Sequence, residues 1–265
     1  MTATIEREAA FELVELDLLA THAGVPFPFP LRVPSFGRLA DERDALLASA
    51  GHALHARGLA TEHGPAGIAD DLVDALREYR SAVDLVVIGA RAVTGAVAVV
   101  HGDWALVCRQ SLSGEQAGTV GVTRAPAATL SDELAGLIPS TPPASTMPIT
   151  LPPGVVGDTL RLLEKTADTP DTRQRVRDLV RSSGGDETVV DQLVDLFPVL
   201  VGRGQFGVVH RRGSTVSRPR EVSWLDSPRG RFRVNEDGAG WVSVNPLRHS
   251  ELRRVLGEVA AEARA

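Results

Sequence analysis

Gly202-Arg203-Gly204-Gln205-Phe206-Gly207-Val208-Val209 is the stretch whose residue types and spacing point most directly at chemistry. Its G-x-G-x-x-G-x-V pattern matches the glycine-rich loop that covers nucleotide phosphates in protein kinases. That chemistry also needs a lysine on a following strand, an H-R-D-type loop and a D-F-G metal site. Lys165 is the only lysine and precedes the stretch, and neither later motif follows it. A dinucleotide fingerprint places its glycines between a strand and a helix. Here the preceding residues read as helix and the following ones as strand, so glycines at a helix-to-strand junction account for the pattern. A nucleotide-dependent enzyme using Gly202 to Gly207 stays open as a competing function.

The other reactive side chains have plainer readings. His52 and His55 lie three residues apart on one predicted helix with His63 nearby, a spacing that can hold a metal. They lack a third ligand at a telling interval and read as polar residues on a solvated face. Asp70, Asp71 and Asp74 sit in the opening turns of another predicted helix, where negative charge complements the helix dipole. No G-x-S-x-G elbow is present. Cys108, the single cysteine, shares one face of a predicted strand with Leu106 and Gln110 and reads as a small buried hydrophobe. No catalytic, cofactor or metal site is expected from these residues.

The chain has 265 residues and a net charge of -6, with 43% hydrophobic and 23% charged residues. Those values suit a soluble globular protein with ample core. The acidic balance argues against a nucleic-acid partner. One cysteine excludes an intramolecular disulfide. Residues 1–10 carry Glu6, Arg7 and Glu8 in place of an apolar signal segment. The most apolar run, 83–100, is interrupted by Asp84, Gly89, Arg91, Thr94 and Gly95, which favours paired strands over a membrane span. The expected location is the cytoplasm.

These residues must be positioned by a mixed set of elements. A short strand running into a helix is predicted from Phe11 to Gly24, and the proline run 26–34 cannot be helical. A helix over 39–57 is predicted to bury one face through Leu39, Leu46, Leu47, Ala50, Ala53 and Leu54, closing at Gly58. A second, over 68–79, groups Ile68, Leu72, Val73 and Leu76 on one side. Four strands follow at 83–88, 96–100, 104–109 and 117–123, with turns at Gly95, 101–103 and 113–114. A short helix over 130–137 precedes the proline-rich segment 139–153, read as an extended linker.

Three helical segments are predicted beyond it, at 155–166, 170–182 and 186–197. Four strands from Gln205 to Val244 come next. Within them, Pro219 to Pro246 has the grammar of a three-stranded meander, with turns at Ser227-Pro228-Arg229-Gly230 and Asp237-Gly238. Asn245-Pro246 is read as the cap and first residue of a terminal helix. Helices, then strands, then a helix recur in each half. Trp104 and Trp241 open comparable strands, which suggests an internal duplication. The expected fold class is α+β, antiparallel sheets with flanking helices in two quasi-equivalent halves, 1–138 and 154–265.

Several short motifs run in order through nearly the whole chain. They are Phe29-Pro30-Leu31-x-Val33-Pro34-Ser35, Glu42-Arg43, Arg57-Gly58-Leu59, Val83-Asp84-Leu85 and Gly102-Asp103. In the second half come Gly204-Gln205-x-Gly207, Ser223-Trp224-x-Asp226, Gly230-Arg231-Phe232 and Trp241-Val242-x-Val244-x-Pro246. Together they resemble the EspG-type chaperones of actinobacterial type VII (ESX) secretion. The resemblance implies a cytosolic, non-enzymatic protein that keeps a helical client, typically a PE/PPE pair, soluble before export. Such a protein needs a surface that covers the client's exposed tip. The candidate surfaces are the strand hairpin carrying Arg91 and Val93, and the helix end carrying Leu193, Leu196 and Phe197. For the latter, core packing is the competing reading, and a regulatory scaffold of the same fold is the third functional possibility.

Overall fold

The computed structural model of the protein describes residues 7–114, 118–165, 170–186 and 200–265. In chain order the first elements are β1 (Glu8–Glu12), α1 (Leu13–Ala23), α2 (Ala40–Ala56), β2 (Ala60–Thr61), β3 (Gly64–Pro65) and α3 (Ile68–Glu78). Then come β4 (Ser81–Gly89), β5 (Val93–His101), β6 (Trp104–Ser111), β7 (Thr119–Pro126), α4 (Leu130–Gly136) and β8 (Ile149–Leu151). The remainder holds α5 (Val155–Lys165), α6 (Pro170–Ser182), β9 (Gly202–Arg212), β10 (Thr215–Ser227), β11 (Gly230–Glu236), β12 (Val242–Pro246) and α7 (His249–Glu262). Contacts divide the chain into two compact units, one of residues 1–138, 206–221 and 253–265, the other of 139–205 and 222–252.

The first unit is built on an antiparallel meander. Its strand order is β1-β7-β6-β5-β4, continued by 206–212 of β9 and 215–221 of β10. Strand side chains alternate between faces. On one face Phe11, Val97, Val99, Leu106, Cys108, Val120 and Val122 form a core with Leu16 and Leu19 of α1 and Leu72 and Leu76 of α3. Leu85, Ala96, Ala98 and Ala105 point to the opposite face and are equally buried. The mixed α+β class with an antiparallel sheet is therefore as expected.

Local sequence explains most of these elements. The backbone N–H of Glu12 donates to the Glu15 carboxylate at 2.9 Å, meeting one of the unsatisfied groups at the start of α1. Asp70 and Asp71 occupy the first turn of α3, and Ile68, Leu72, Val73 and Leu76 are all buried as their spacing requires. A Leu72→Ala change there would cost about 2–5 kcal/mol.

Four details depart from the sequence reading. Only Ala50 and Leu54 of α2 are buried, and Leu39 is 73% exposed. Gly95 lies inside β5 and not in a turn; a Cβ there would sit 2.9 Å from Leu112 and 3.0 Å from Pro30, so close packing explains the glycine. Asn245 and Pro246 end β12, opposite Arg233 and Phe232, and the terminal helix begins at His249. Finally, the proline-rich segment is not wholly linker, because its end forms β8 and Pro143 bridges to Arg231.

The second unit contains the predicted meander, 222–227 of β10 with β11 and β12, and β8 pairs outside β12. Ile149, Leu151, Val155, Val176, Val180, Phe232 and Val244 form its core. Predicted helices at 155–166 and 170–182 are observed as α5 and α6. The third predicted helix, with Leu193, Leu196 and Phe197, falls almost wholly on 187–199, outside the described residues. No described helix is long and apolar enough to cross a membrane.

Candidate binding surface

The β4–β5 hairpin places one predicted partner residue at its tip. Ile88 pairs with Val93, and the Gly89 N–H donates to the Ala92 carbonyl at 2.9 Å. Ala90 and Arg91 are thus the two residues of a tight turn. Arg91 is exposed and has no ion-pair or hydrogen-bond partner among the described residues. Val93 is half-buried at the base of the turn. Its N–H donates to Ser113 Oγ at 2.9 Å and its carbonyl accepts the Leu112 N–H at 2.7 Å. The hairpin base is therefore pinned to the segment that follows β6, which fixes the direction of Arg91's backbone.

Beside this turn the outer ends of β5, β6, β7 and β1 leave a groove of about 560 Å³. Thr94, Ser111, Thr119 and Thr123 contribute hydroxyls to its lining, together with the charged Arg109, Glu8 and Glu133. Ala92, Val107 and Leu137 add a small apolar component. The groove can grip polar backbone ends and short apolar side chains. It contains no nucleophile paired with a base. Sequence reasoning found the hairpin but missed this groove, although Thr119 and Thr123, four residues apart on β7, fall on one face of the strand.

The residues singled out for chemistry are placed apart from it. The glycine-rich stretch forms the first part of β9, a strand and not a loop. A Cβ on Gly204 would lie 2.1 Å from the Trp224 ring, and one on Gly207 would lie 2.5 Å from the Arg220 carbonyl oxygen. Both glycines admit neighbouring groups against the strand. Gly204 and Gly207 lie inside a strand and not at a helix-to-strand junction. His52, His55 and His63 are exposed, and no group of three metal-ligating side chains occurs among the described residues.

Asp71 pairs with Arg124 at 2.7 Å and Asp74 with Arg77 at 3.8 Å. Asp70 is raised above its ordinary carboxyl value by burial first and by Asp74 and Asp71 next. Cys108 is fully buried, which pushes its thiol up to about 12, so the thiolate nucleophile is not formed at neutral pH.

The closest approach to a catalytic set among the described residues was not legible from sequence. Ser81 Oγ lies 2.9 Å from His210 Nδ1, and His210 Nε2 lies 3.7 Å from Glu262. The carboxylate is beyond hydrogen-bond reach, so it does not orient the imidazole as the acidic member of a triad does. This arrangement brings together side chains of β4, β9 and α7.

A sequence model described as the EspG family matches residues 12–258. The chain belongs to the EspG family. Among solved structures, that of the Mycobacterium tuberculosis type VII secretion system chaperone EspG5 in complex with the PE25-PPE41 dimer superposes with a TM-score of 0.68. The alignment covers 97% of this chain and 96% of that one at 10% identity. HtdX (Rv0241c) of Mycobacterium tuberculosis aligns with 90% of this chain and 98% of its own at 8% identity and a TM-score of 0.15, a value that implies no common fold. No curated protein matches the chain in sequence. This EspG-family chain shares its fold with EspG5 at an identity far too low to transfer individual contacts.

Proposed function

We propose that this protein is a cytosolic chaperone of type VII secretion. It binds the helical tip of a PE/PPE-like client and keeps it soluble for export, without making or breaking bonds. The observation that carries this reading is the fold likeness across 97% of the chain to a chaperone captured with such a pair. Family membership over residues 12–258 supports it independently.

The β4–β5 hairpin and its groove suit the task. The tip of a helical hairpin exposes backbone carbonyls and N–H groups with no intrahelical partner. Thr94, Ser111 and Thr119 can meet those groups with hydroxyls, while Arg91 donates from the turn. Arg91 and Val93 are proposed as client contacts, together with Leu193, Leu196 and Phe197 near the end of the third predicted helix.

Co-expression with a PE/PPE pair, followed by affinity capture and size-exclusion chromatography, tests the reading. A stable ternary species is expected, weakened about tenfold or more by Arg91→Glu, since reversing a charge at an interface opposes association. Failure to capture any PE/PPE pair, with both proteins folded, refutes the client class. Unchanged capture by the Arg91→Glu protein refutes the hairpin as the contact surface.

A further inference from the structure

At the other end of β4, about eight residues or roughly 27 Å from the Arg91 turn, the first unit carries a second concavity with the opposite character. Two adjoining hollows of about 930 Å³ and 530 Å³ share Glu78, Arg80, Ser81 and Ala265 as walls. Arg77, Arg80, Arg211, Arg212 and Arg264 line them, and Glu78 is the only acidic side chain among the lining residues. In a chain of net charge -6, five arginines around one cleft form a local field of the opposite sign.

The cleft is also ordered. The Arg211 guanidinium lies 4.6 Å above the Tyr79 ring and donates to the Leu76 and Arg77 carbonyls at 2.7 and 3.0 Å. Arg77 donates to the His22 carbonyl at 2.5 Å and sits near Asp74, and Arg264 donates to the Ala127 carbonyl at 3.2 Å. His210 is engaged by Ser81 and faces Glu262. Arg80 and Arg212 are exposed, and their guanidinium groups have no ion-pair or hydrogen-bond partner among the described residues. Fixed cations thus supply the field, and two uncommitted guanidinium groups remain to bind carboxylates in bidentate fashion.

We propose that this cleft docks an acidic segment of a partner polypeptide. The combined hollow exceeds what one small ligand fills, and its polar walls suit an extended chain bearing successive carboxylates. Because it lies at the far end of β4 from the Arg91 hairpin, an acidic partner can bind here while the hairpin holds its own ligand.

The test uses the full chain and a fluorescein-labelled hexaglutamate peptide, with polarisation read at low and at physiological salt. Saturable binding is expected at low salt and weaker binding at higher salt, as screening demands. Arg80→Glu with Arg212→Glu should weaken binding by at least about tenfold, whereas Arg91→Glu should leave it unchanged. Both arginines are exposed, and an unaltered melting temperature confirms that the double variant is folded. Should it be destabilised, Arg80→Gln with Arg212→Gln gives the same readout with smaller perturbation. No peptide binding at low salt overturns the proposal, as does equal affinity in the double variant. Binding of inositol hexakisphosphate without binding of the peptide overturns it in favour of a small polyanion site.

Discussion

The Asp84–Arg218 pair of the first unit and the Asp226–Arg231 pair of the second are built in opposite ways. In the first unit the Asp84 side chain is fully buried and Arg218, 23% exposed, reaches in with contacts of 2.8 and 2.5 Å. In the second unit Arg231 is fully buried and Asp226 is 11% exposed, with contacts of 2.6 and 2.9 Å. The difference lies in which ion can escape its charge. Burial drives the Asp84 carboxyl above its ordinary value of 3.8, against the pull of Arg218 and the Gly207 N–H, so Asp84 can become neutral by taking a proton. An arginine does not deprotonate in a protein. The second unit is therefore committed to a permanently charged centre, and the first is not.

The largest effect should follow from removing the fully buried arginine of the second unit. Arg231 also donates to the Pro139 carbonyl at 2.9 Å and the Thr141 hydroxyl at 3.3 Å, and lies 5.4 Å from the Trp224 ring. Its backbone N–H donates to Pro142 and its carbonyl accepts from Ala144 and Leu247. Arg231→Met leaves the Asp226 carboxylate without its counter-ion and removes the side-chain bonds to Pro139 and Thr141, while the backbone bonds to Pro142 and Ala144 remain. A loss of about 3–5 kcal/mol is expected, read from urea denaturation followed by tryptophan fluorescence. An effect below about 1 kcal/mol would show that the pair contributes little.

Removing the counter-ion of the other pair should cost about 3 kcal/mol at neutral pH, but here the cost should depend on acidity. In Arg218→Ala the buried Asp84 carboxylate is left with the Gly207 N–H as partner. As pH falls, Asp84 takes up a proton and the penalty for burying its charge disappears. The sign in the native protein is the same. A carboxyl held above its unfolded value favours the folded state below that value, and the advantage is lost as pH rises through the raised one. The destabilisation by Arg218→Ala, measured by urea titration from pH 7 downwards, should therefore shrink. A destabilisation by Arg218→Ala that stays constant as pH falls would show that the escape route is not used.

How much of this was legible in sequence divides along the same line between local and distant causes. The period of Ile68, Leu72, Val73 and Leu76 specified α3, and the turns around Pro228 and Asp237 specified the β10–β12 meander. These depend on neighbours within a few residues. The open face of α2 was misread because the apolar spacing of Leu39, Leu46 and Leu47 says nothing about whether another element covers it. Asn245-Pro246 looked like a helix start, but pairing with β11 overrode the local preference.

The motifs that gave the family resemblance proved to be architectural. Arg43 donates to Asp17 at 2.7 Å, to Ser35 and to the Phe36 carbonyl. Arg57 holds Glu15 at 2.9 Å, and Asp84, Gly204, Trp224, Asp226 and Arg231 build the two ion-pair regions. The groove, by contrast, is assembled from four strands and α4 out of threonines, serines and single charges that are common anywhere.

A smaller effect, about 1–3 kcal/mol, is expected from overfilling the second unit beside its ion pair. Gly204→Ala would set a methyl against the Trp224 ring, and Trp224 Nε1 donates to Asp226 at 3.3 Å. The ring must shift, which disturbs the partner of Arg231. A red-shifted tryptophan emission together with a lowered urea midpoint is the expected result. An unaltered midpoint would mean that the ring moves freely and that the glycine is not needed for packing.

The smallest effect should come from Asp84→Asn, which removes the escaping ion and leaves its shape in place. Asparagine keeps a carbonyl oxygen for the Gly207 N–H and for Arg218, and it carries no charge to desolvate. Arg218 is not stranded, because it is partly solvated and contacts Glu221 as well. The lost Coulomb attraction and the relieved desolvation oppose one another, so the net change at pH 7 is expected within about 1 kcal/mol of zero. Combining the two substitutions sharpens the point. If the cost of Arg218→Ala arises from an uncompensated carboxylate, it should fall to below about 1 kcal/mol in the Asp84→Asn background. If it stays near 3 kcal/mol, the arginine stabilises the first unit through its packing alone, and the contrast between the two pairs is not one of charge.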